Sequence, residues 1–141
     1  MRVFVAGATG VLGSRLVPML IARGHEVTAM SRRPDNQAPL RAAGAETVLA
    51  DGLDRDAVVA GVVQARPEVV VHQMTALAGD LDLRNFERTF ETTNRLRTEG
   101  TESLLEGARR AGARRFVAQS FGGWPYARVG GPVKTEEDPL D

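Results

Sequence analysis

A glycine-rich turn near the amino terminus carries the clearest chemical signal in this sequence. Gly7, Gly10 and Gly13 recur at intervals of three, after an apolar run at residues 3–6 and before a helical pattern. Such glycines allow a tight turn, let the backbone approach a pyrophosphate and let the helix pack closely on the strand. The N–H groups and the positive dipole end of that helix attract an anion. The turn therefore predicts a pyrophosphate site, and the alternative is a tight turn that binds nothing. Thr9, Val11 and Leu12 would contribute further cofactor contacts from the turn.

The residues after the second apolar run bear on which dinucleotide would bind. A site that prefers NAD carries Asp or Glu about twenty residues past the glycines, where the carboxylate holds the ribose 2′-hydroxyl. This sequence has Ser31, Arg32 and Arg33 there instead. A hydroxyl and two guanidinium groups suit a 2′-phosphate, and no carboxylate in this run repels it. The pattern favours NADP over NAD, and the alternative is a solvated basic loop.

These residues are positioned by apolar runs that alternate with helical patterns. Buried strands are predicted at residues 3–6, 26–30, 47–50, 69–72 and 115–119. Helices are predicted at residues 11–23, 36–43, 54–64 and 86–111, with Asp54 as the cap of the third. The first helix would place on one face Leu12, Leu16, Met19 and Leu20. This alternation indicates a doubly wound α/β domain of the Rossmann type, with a parallel sheet of strand order 3-2-1-4-5.

Charge and composition narrow the class of protein further. The 141 residues include 18 basic and 18 acidic side chains, so no net charge attracts nucleic acid or an anionic membrane. The absence of cysteine excludes a thiolate site, and two histidines are too few for a metal site of histidines alone. No apolar run approaches the roughly eighteen residues of a membrane span, and no signal-peptide pattern opens the chain. We expect a cytoplasmic protein without a metal, whose small-molecule substrate is unknown.

The spacing Gly-x-x-Gly-x-x-Gly at residues 7–13 resembles that of the extended and atypical short-chain dehydrogenase/reductases, which include NAD(P)-dependent epimerases and dehydratases. Four further stretches resemble the family's motifs in order and spacing. They are Asp-Gly-Leu-Asp at 51–54, Val-Val-His-Gln-Met-Thr at 70–75, Gly-Thr-Glu-Ser-Leu-Leu at 100–105 and Arg-Phe-Val-Ala-Gln-Ser at 115–120. The resemblance covers nearly the whole chain and implies the N-terminal Rossmann portion of an oxidoreductase, epimerase or dehydratase.

The resemblance also implies roles for residues after the third and fourth strands. Asp51 and Gly52 match the acidic motif that touches the adenine, and the alternative for Asp51 is a residue of the turn before a helix. Met74 and Thr75 match the motif beside the nicotinamide ribose. His72 lacks a carboxylate partner nearby in the sequence, which favours a strand-end side chain over a catalytic base.

Several positions depart from the family pattern. The family's Asn, three residues before Gly-Thr, is Arg97 here, and Asn94 lies one helical turn earlier, either as its substitute or as polar surface. Ser120 matches the first residue of the family's Ser-Ser pair and is a candidate catalytic residue on the nicotinamide side. The second residue of the pair, which usually supplies the catalytic hydroxyl, is Phe121.

The catalytic Tyr-x-x-x-Lys of the family is missing from this chain. In that pair the Tyr exchanges a proton with the substrate oxygen, and the Lys charge lowers the Tyr pKa. The one Tyr and one Lys, Tyr126 and Lys134, are eight residues apart with glycines and a proline between them, so they cannot form it on a helix. Trp124 and Tyr126 would line a substrate pocket or pack the loop down.

Two segments of different character therefore divide the chain. Residues 1–121 are predicted to form the NAD(P)-binding Rossmann domain, and residues 122–141 a Gly/Pro-rich loop leading to a substrate-binding portion missing or absent from this chain. Three interpretations stay open: the first part of a longer enzyme, an atypical enzyme without the Tyr-Lys pair, or a non-catalytic NADP-binding sensor or partner-binding module. The family resemblance implies a homodimer through the helix at 86–111, which the lack of a following helix makes doubtful.

Overall fold

Five parallel strands form one sheet in the computed structural model, which describes residues 1–77, 83–120, 126–135 and 137–140. The strands are β1 (Arg2–Ala6), β2 (Glu26–Ser31), β3 (Glu46–Leu49), β4 (Val69–His72) and β5 (Arg115–Ala118). Their order is β3-β2-β1-β4-β5, and each neighbouring pair is parallel. The predicted Rossmann-type fold and its strand order are confirmed. Because β1 is central, the turn that follows it lies between the carboxyl ends of β2 and β4.

Four α-helices connect the strands in the described part of the chain. They are α1 (Gly13–Ala22), α2 (Gln37–Ala42), α3 (Arg55–Ala65) and α4 (Phe86–Ala111). A 3₁₀ turn at Pro34–Asn36 leads into α2, which is otherwise where the sequence predicts it. The predicted cap of α3 is present, since the Asp54 carboxylate accepts the Ala57 N–H at 3.1 Å. Within the described ranges, no helix combines the length and apolar character needed to cross a bilayer.

The sheet has a separate apolar core on each face. Phe4, Val58, Val70 and Leu104 belong to the core under α3 and α4, and each is fully buried. The opposite face packs under α1 and α2 around Val5 and Val17. Burying both faces explains why the strands are continuous apolar runs rather than alternating patterns.

The first helix differs from its prediction. It begins at Gly13 rather than at residue 11, and Leu12 and Met19 are each about half exposed. The buried positions of α1 are Gly13 and Val17. The predicted apolar face of Leu12, Leu16, Met19 and Leu20 is therefore wrong at its first and third members. The helix is rotated so that Gly13, which has no side chain, lies against the glycine turn.

The carboxyl-terminal segment folds back on itself where the sequence shows no periodicity. Tyr126 and Leu140 form an antiparallel bridge, and the Ala127 N–H donates to the Pro139 carbonyl at 2.9 Å. The Thr135 N–H and hydroxyl donate to the Asp138 carboxylate at 2.7 and 3.1 Å. Pairing across more than ten residues leaves no local periodic signal, so the sequence did not predict it. The proposed boundary at residues 121 and 122 lies outside the described residues.

Candidate dinucleotide-binding site

A cavity of about 440 Å³ opens at the carboxyl ends of the central strands, where ligands of doubly wound sheets bind. It brings together ten of the residues that the sequence predicts for a dinucleotide. These are Gly7, Thr9, Gly10, Ser31, Arg32, Arg33, Asp51, Gly52, Met74 and Thr75. Chain segments that follow β1, β2, β3 and β4 thus converge on one site, although their residues lie far apart in the sequence.

The glycine turn needs its glycines for different reasons. Gly7 has φ +85°, and a Cβ on it would lie 2.6 Å from the Gln73 carbonyl carbon, so the turn is pressed against the residue after β4. A Cβ on Gly13 would lie 2.1 Å from the Gly7 carbonyl oxygen, which explains why α1 approaches the turn so closely. Gly10 faces more open space, since the nearest neighbour of its Cβ would be 3.4 Å away.

The start of α1 suits an anion. No backbone carbonyl of the described residues accepts a hydrogen bond from the N–H groups of Val11, Leu12 or Gly13. Unpaired N–H groups at a helix start carry partial positive charge, which a phosphate complements. These residues lie in the turn beside the cavity and are not among the residues that line it. The donors present at the turn therefore fit the pyrophosphate that the sequence predicts.

Two guanidinium groups lie at the end of β2, on the side of the cavity next to β3. Arg32 and Arg33 are exposed, and neither guanidinium forms a hydrogen bond or ion pair with a residue that the structure describes. Ser31 lines the cavity and also holds the loop that follows β2, and its contact with a 2′-phosphate stays a prediction. Its buried hydroxyl donates to the Arg33 carbonyl at 3.2 Å and accepts from the Arg33 N–H at 3.2 Å and the Asn36 amide at 3.3 Å. The Ser31 hydroxyl thus shapes the loop that presents the arginines.

Asp51 combines the two roles that the sequence left open. Its carboxylate accepts the Leu53 N–H at 2.9 Å, the contact of a turn residue before a helix. The same residue is exposed and lines the cavity. The turn role is present, and contact with adenine stays a prediction.

Met74 fills the space that two glycines leave behind the cavity. A Cβ on Gly52 would lie 2.6 Å from the Met74 sulfur, and one on Gly100 would lie 3.1 Å from the Met74 methyl carbon. Met74 is buried and belongs to the core under α3 and α4. Gly52 and Met74 therefore form the cavity wall by packing together, which the motif resemblance did not show.

His72, at the end of β4, uses both of its ring nitrogens in hydrogen bonds within the fold. Its Nδ1 accepts the Met74 N–H at 3.1 Å, so the proton lies on Nε2, which is 3.1 Å from the Leu96 carbonyl oxygen. Burial lowers the pKa of His72, with a smaller lowering from the Arg97 guanidinium, and the Leu96 hydrogen bond opposes both. These contacts agree with the interpretation as a strand-end side chain, because both ring nitrogens are used within the fold.

Two predicted residues lie away from the cavity lining. Asn94 is exposed, and α4 lines the cavity through Thr92 and Leu96 instead. Ser120 is exposed, and its carbonyl accepts from Arg97 at 3.3 Å. Thr92 and Leu96 were not predicted from the sequence. Their i, i+4 spacing puts them on one face of α4, and this spacing could have indicated that both line the cavity.

Tyr126 and Lys134 are not among the residues that line the cavity. Neither Tyr126 nor Lys134 lies in a helix, and the Lys134 ammonium donates to the Val129 carbonyl beside Asp138. They do not form the family's Tyr-Lys pair. Phe121 and Trp124 lie outside the described residues.

The chain has a parallel sheet of order 3-2-1-4-5, a glycine turn after β1 and unpaired N–H groups at the start of α1. Together these features define a Rossmann-type dinucleotide-binding domain. Residues 3–139 match the NAD dependent epimerase/dehydratase family, so the chain belongs to that family. It is 53% identical over 140 residues to a 3-diazoavenalumate denitrifying reductase of a Streptomyces species, covering 99% of this chain and 44% of that protein. It is 32% identical to a UDP-glucose 4-epimerase of Mycolicibacterium smegmatis, covering all of this chain and 45% of that protein.

A solved structure supports the same assignment. The UDP-glucose 4-epimerase of Thermus thermophilus in complex with NAD superposes with a TM-score of 0.73 at 27% identity, covering all of this chain and 44% of that one. The chain thus spans less than half the length of these relatives. The expected membership of the short-chain dehydrogenase/reductases as an N-terminal, NAD(P)-binding portion is confirmed.

Proposed function

We propose that this chain is the NADP-binding portion of a reductase. The observation that carries the proposal is the pair of guanidinium groups at the end of β2, where an NAD site would present a carboxylate. Arg32 and Arg33 would hold the 2′-phosphate, and the N–H groups at the start of α1 would hold the pyrophosphate. Asp51 is the one carboxylate among the described residues that line the cavity, and it follows β3 rather than β2.

The cofactor preference favours a net reduction over an epimerisation. NADPH supplies a hydride to the substrate and is oxidised to NADP⁺, whereas the epimerase structure that this chain resembles holds NAD. The 53% identity to a reductase against 32% to an epimerase supports the same choice. The protein's own residues would bind and orient the dinucleotide, and Ser120 would lie toward its nicotinamide side.

The reductase relative also supplies a proposed substrate class, a diazo compound such as 3-diazoavenalumate. In the balanced reaction, a hydride from NADPH forms the new C–H bond while the C–N bond breaks and the diazo group leaves as dinitrogen. One proton from the solvent neutralises the negative charge left on the product, and NADPH becomes NADP⁺. The test incubates the protein, in its full natural length, with NADPH and 3-diazoavenalumate, and with NADH as the comparison. NADPH oxidation with release of dinitrogen supports this substrate. NADPH binding without oxidation of the cofactor favours the non-catalytic module instead.

The arginine pair gives the sharpest test of the cofactor proposal. Replacing both by alanine, Arg32→Ala with Arg33→Ala, removes two charge-assisted hydrogen bonds to the 2′-phosphate. Both guanidinium groups are exposed, so solvent screening reduces what each bond contributes, and the affinity for NADPH should fall by about tenfold or more. NADH has no 2′-phosphate for these arginines to bind. Its affinity should therefore stay within about twofold of that of the unmodified protein. The matched control is Arg109→Ala, an exposed arginine in the last turn of α4 that does not line the cavity. Equal losses for both cofactors would contradict the proposal.

A further inference from the structure

Another cavity, of about 630 Å³, lies at the opposite end of the sheet from the dinucleotide site. The first residues of β1, β2 and β3 line it, namely Arg2, Glu26 and Glu46. Its other wall is the carboxyl-terminal end of α3, with Gln64 and the capping residue Arg66. We call this cavity the strand-start groove, because it lies between the amino-terminal ends of three strands and the end of one helix.

The sheet presents polar side chains in the strand-start groove, level with a residue of the core. Across β1, β2 and β3, Phe4 is in register with Thr28, and Thr28 with Glu46. Phe4 is fully buried under α3 and α4, and strand residues in register face the same side of a sheet. Glu26 lies two residues before Thr28 and therefore faces that side as well. Two carboxylates thus lie on one face of the sheet, on adjacent strands.

The charges of the groove are not neutralised within the fold. Glu26, Glu46 and Arg66 are exposed, and none of these side chains forms a hydrogen bond or ion pair with a residue that the structure describes. The Arg2 Nε donates to the Arg66 carbonyl at 2.8 Å, which holds the Arg66 backbone in place. The groove therefore offers two negative groups and one positive group to a molecule from outside.

Arg66 has a backbone conformation that glycine usually takes at the end of a helix. Its φ is +44°, and in the described part of the chain it is the one non-glycine residue with positive φ. The other three α-helices end at glycines of positive φ, namely Gly24, Gly44 and Gly112. This conformation is costly for a residue with a Cβ, and a following proline favours extended backbone instead. An arginine is thus kept at a strained position, as is common at ligand sites, although the described fold does not use its guanidinium.

We propose that the strand-start groove binds a small zwitterion of the class of a free α-amino acid, with its ammonium at Glu26 and Glu46 and its carboxylate at Arg66. An ammonium offsets the repulsion between two neighbouring carboxylates, and a guanidinium can bind a carboxylate through two parallel N–H donors. The volume of the groove lies in the range of small-molecule sites. Since all three charged groups are exposed, each ion pair contributes little, and we expect a Kd in the millimolar range.

The test titrates the unmodified protein with L-leucine and follows the backbone amide signals by NMR. Leucine has a neutral side chain, so its ammonium and carboxylate alone can pair with the charges of the groove. Leucinamide keeps the ammonium and lacks the carboxylate, and N-acetylleucine keeps the carboxylate and lacks the ammonium. We expect leucine to shift the signals of Glu26, Glu46 and Arg66. It should bind about fivefold or more tightly than either analogue.

Arg66→Gly separates binding from stability. Glycine suits φ +44°, so the unfolding temperature should rise or stay within about 4 °C of that of the unmodified protein. Leucine should bind this variant about fivefold more weakly, and no better than leucinamide does. Arg66→Gln, which keeps a long polar side chain without the charge, should lose the same preference. The matched control is Arg109→Gln, which removes an exposed charge at the end of α4, outside the groove, and should change neither property.

The carboxylates are tested in the same way. Replacing both by amides, Glu26→Gln with Glu46→Gln, should remove the preference for leucine over N-acetylleucine. Absence of leucine binding, or equal affinity for leucine and both analogues, would overturn the inference. A preference for leucine over leucinamide that persists in Arg66→Gly would overturn it as well. An unfolding temperature lowered by more than about 8 °C in Arg66→Gly would show that the arginine supports the fold instead.

Discussion

At the scale of single residues, side chains that were predicted to contact the ligand also form hydrogen bonds within the fold. The Ser31 hydroxyl was expected at a 2′-phosphate, but it is used by the Arg33 backbone and by Asn36. Asp51 likewise closes a turn while lining the cavity. The sequence could predict which residues surround the site, because motif spacing determines it. It could not predict which oxygen already has a partner, since that depends on contacts made after folding.

His72 leads to a prediction about pH. Because burial lowers its pKa in the folded state, the unfolded chain binds a proton near pH 6.5 that the folded chain does not. The free energy of unfolding is therefore unaffected above about pH 7 and falls as the pH drops below about 6.5, by up to about 1.4 kcal/mol per pH unit. Urea denaturation between pH 5.5 and 7.5 measures this slope.

The control for this pH dependence is His72→Asn, whose side-chain oxygen can still accept the Met74 N–H. The lowered carboxylate pKa values, such as that of Glu68, which accepts hydrogen bonds from Arg2 and Arg114, affect stability only at lower pH. The His72→Asn variant should lose the part of the slope due to this side chain. An unchanged slope would contradict the neutral, hydrogen-bonded His72.

At the scale of elements, the sequence predicted each strand and α-helix that the structure describes, but not how α1 is rotated. Each strand lies within one residue of its predicted bounds, because continuous β-branched runs between helices have few other interpretations. For α1 the apolar pattern alone favoured Leu12 and Met19 as buried, and both are about half exposed. The contact of Gly13 with Gly7 sets the rotation instead, and this contact between two glycines leaves no signal in an apolar pattern.

The glycine turn allows stability and binding to be separated. Gly13→Ala places a Cβ 2.1 Å from the Gly7 carbonyl oxygen, so α1 must shift, and the free energy of unfolding should fall by about 2–3 kcal/mol. Gly10→Ala places its Cβ at 3.4 Å, so stability should change by less than about 1 kcal/mol.

Gly10→Ala, the variant expected to keep its stability, should lose affinity for the dinucleotide. The new methyl of Gly10→Ala stands at the cavity, so NADP⁺ affinity should fall at least about tenfold in a protein of nearly normal stability. Urea denaturation and calorimetric titration of both variants test this pair. Equal losses of stability would show that the two glycines do not have the different roles assigned to them.

At the scale of the whole molecule, the strand order explains why ten of the candidate residues line one cavity. Four chain segments meet at one cavity because β1 is central and all strands point the same way. The pairing of Tyr126 with Leu140 was not predictable, since it joins distant residues in a segment without periodicity. The relatives are more than twice as long as this chain.

The central claim is that this fold presents its arginines to a 2′-phosphate, and one calorimetric comparison tests it directly. The unmodified chain is titrated with NADP⁺ and with NAD⁺ in the same buffer at low and moderate salt. We expect NADP⁺ to bind at least about tenfold more tightly, with a difference that narrows as salt screens the exposed guanidinium groups. Equal affinities, or tighter binding of NAD⁺, would contradict the assignment of Arg32 and Arg33.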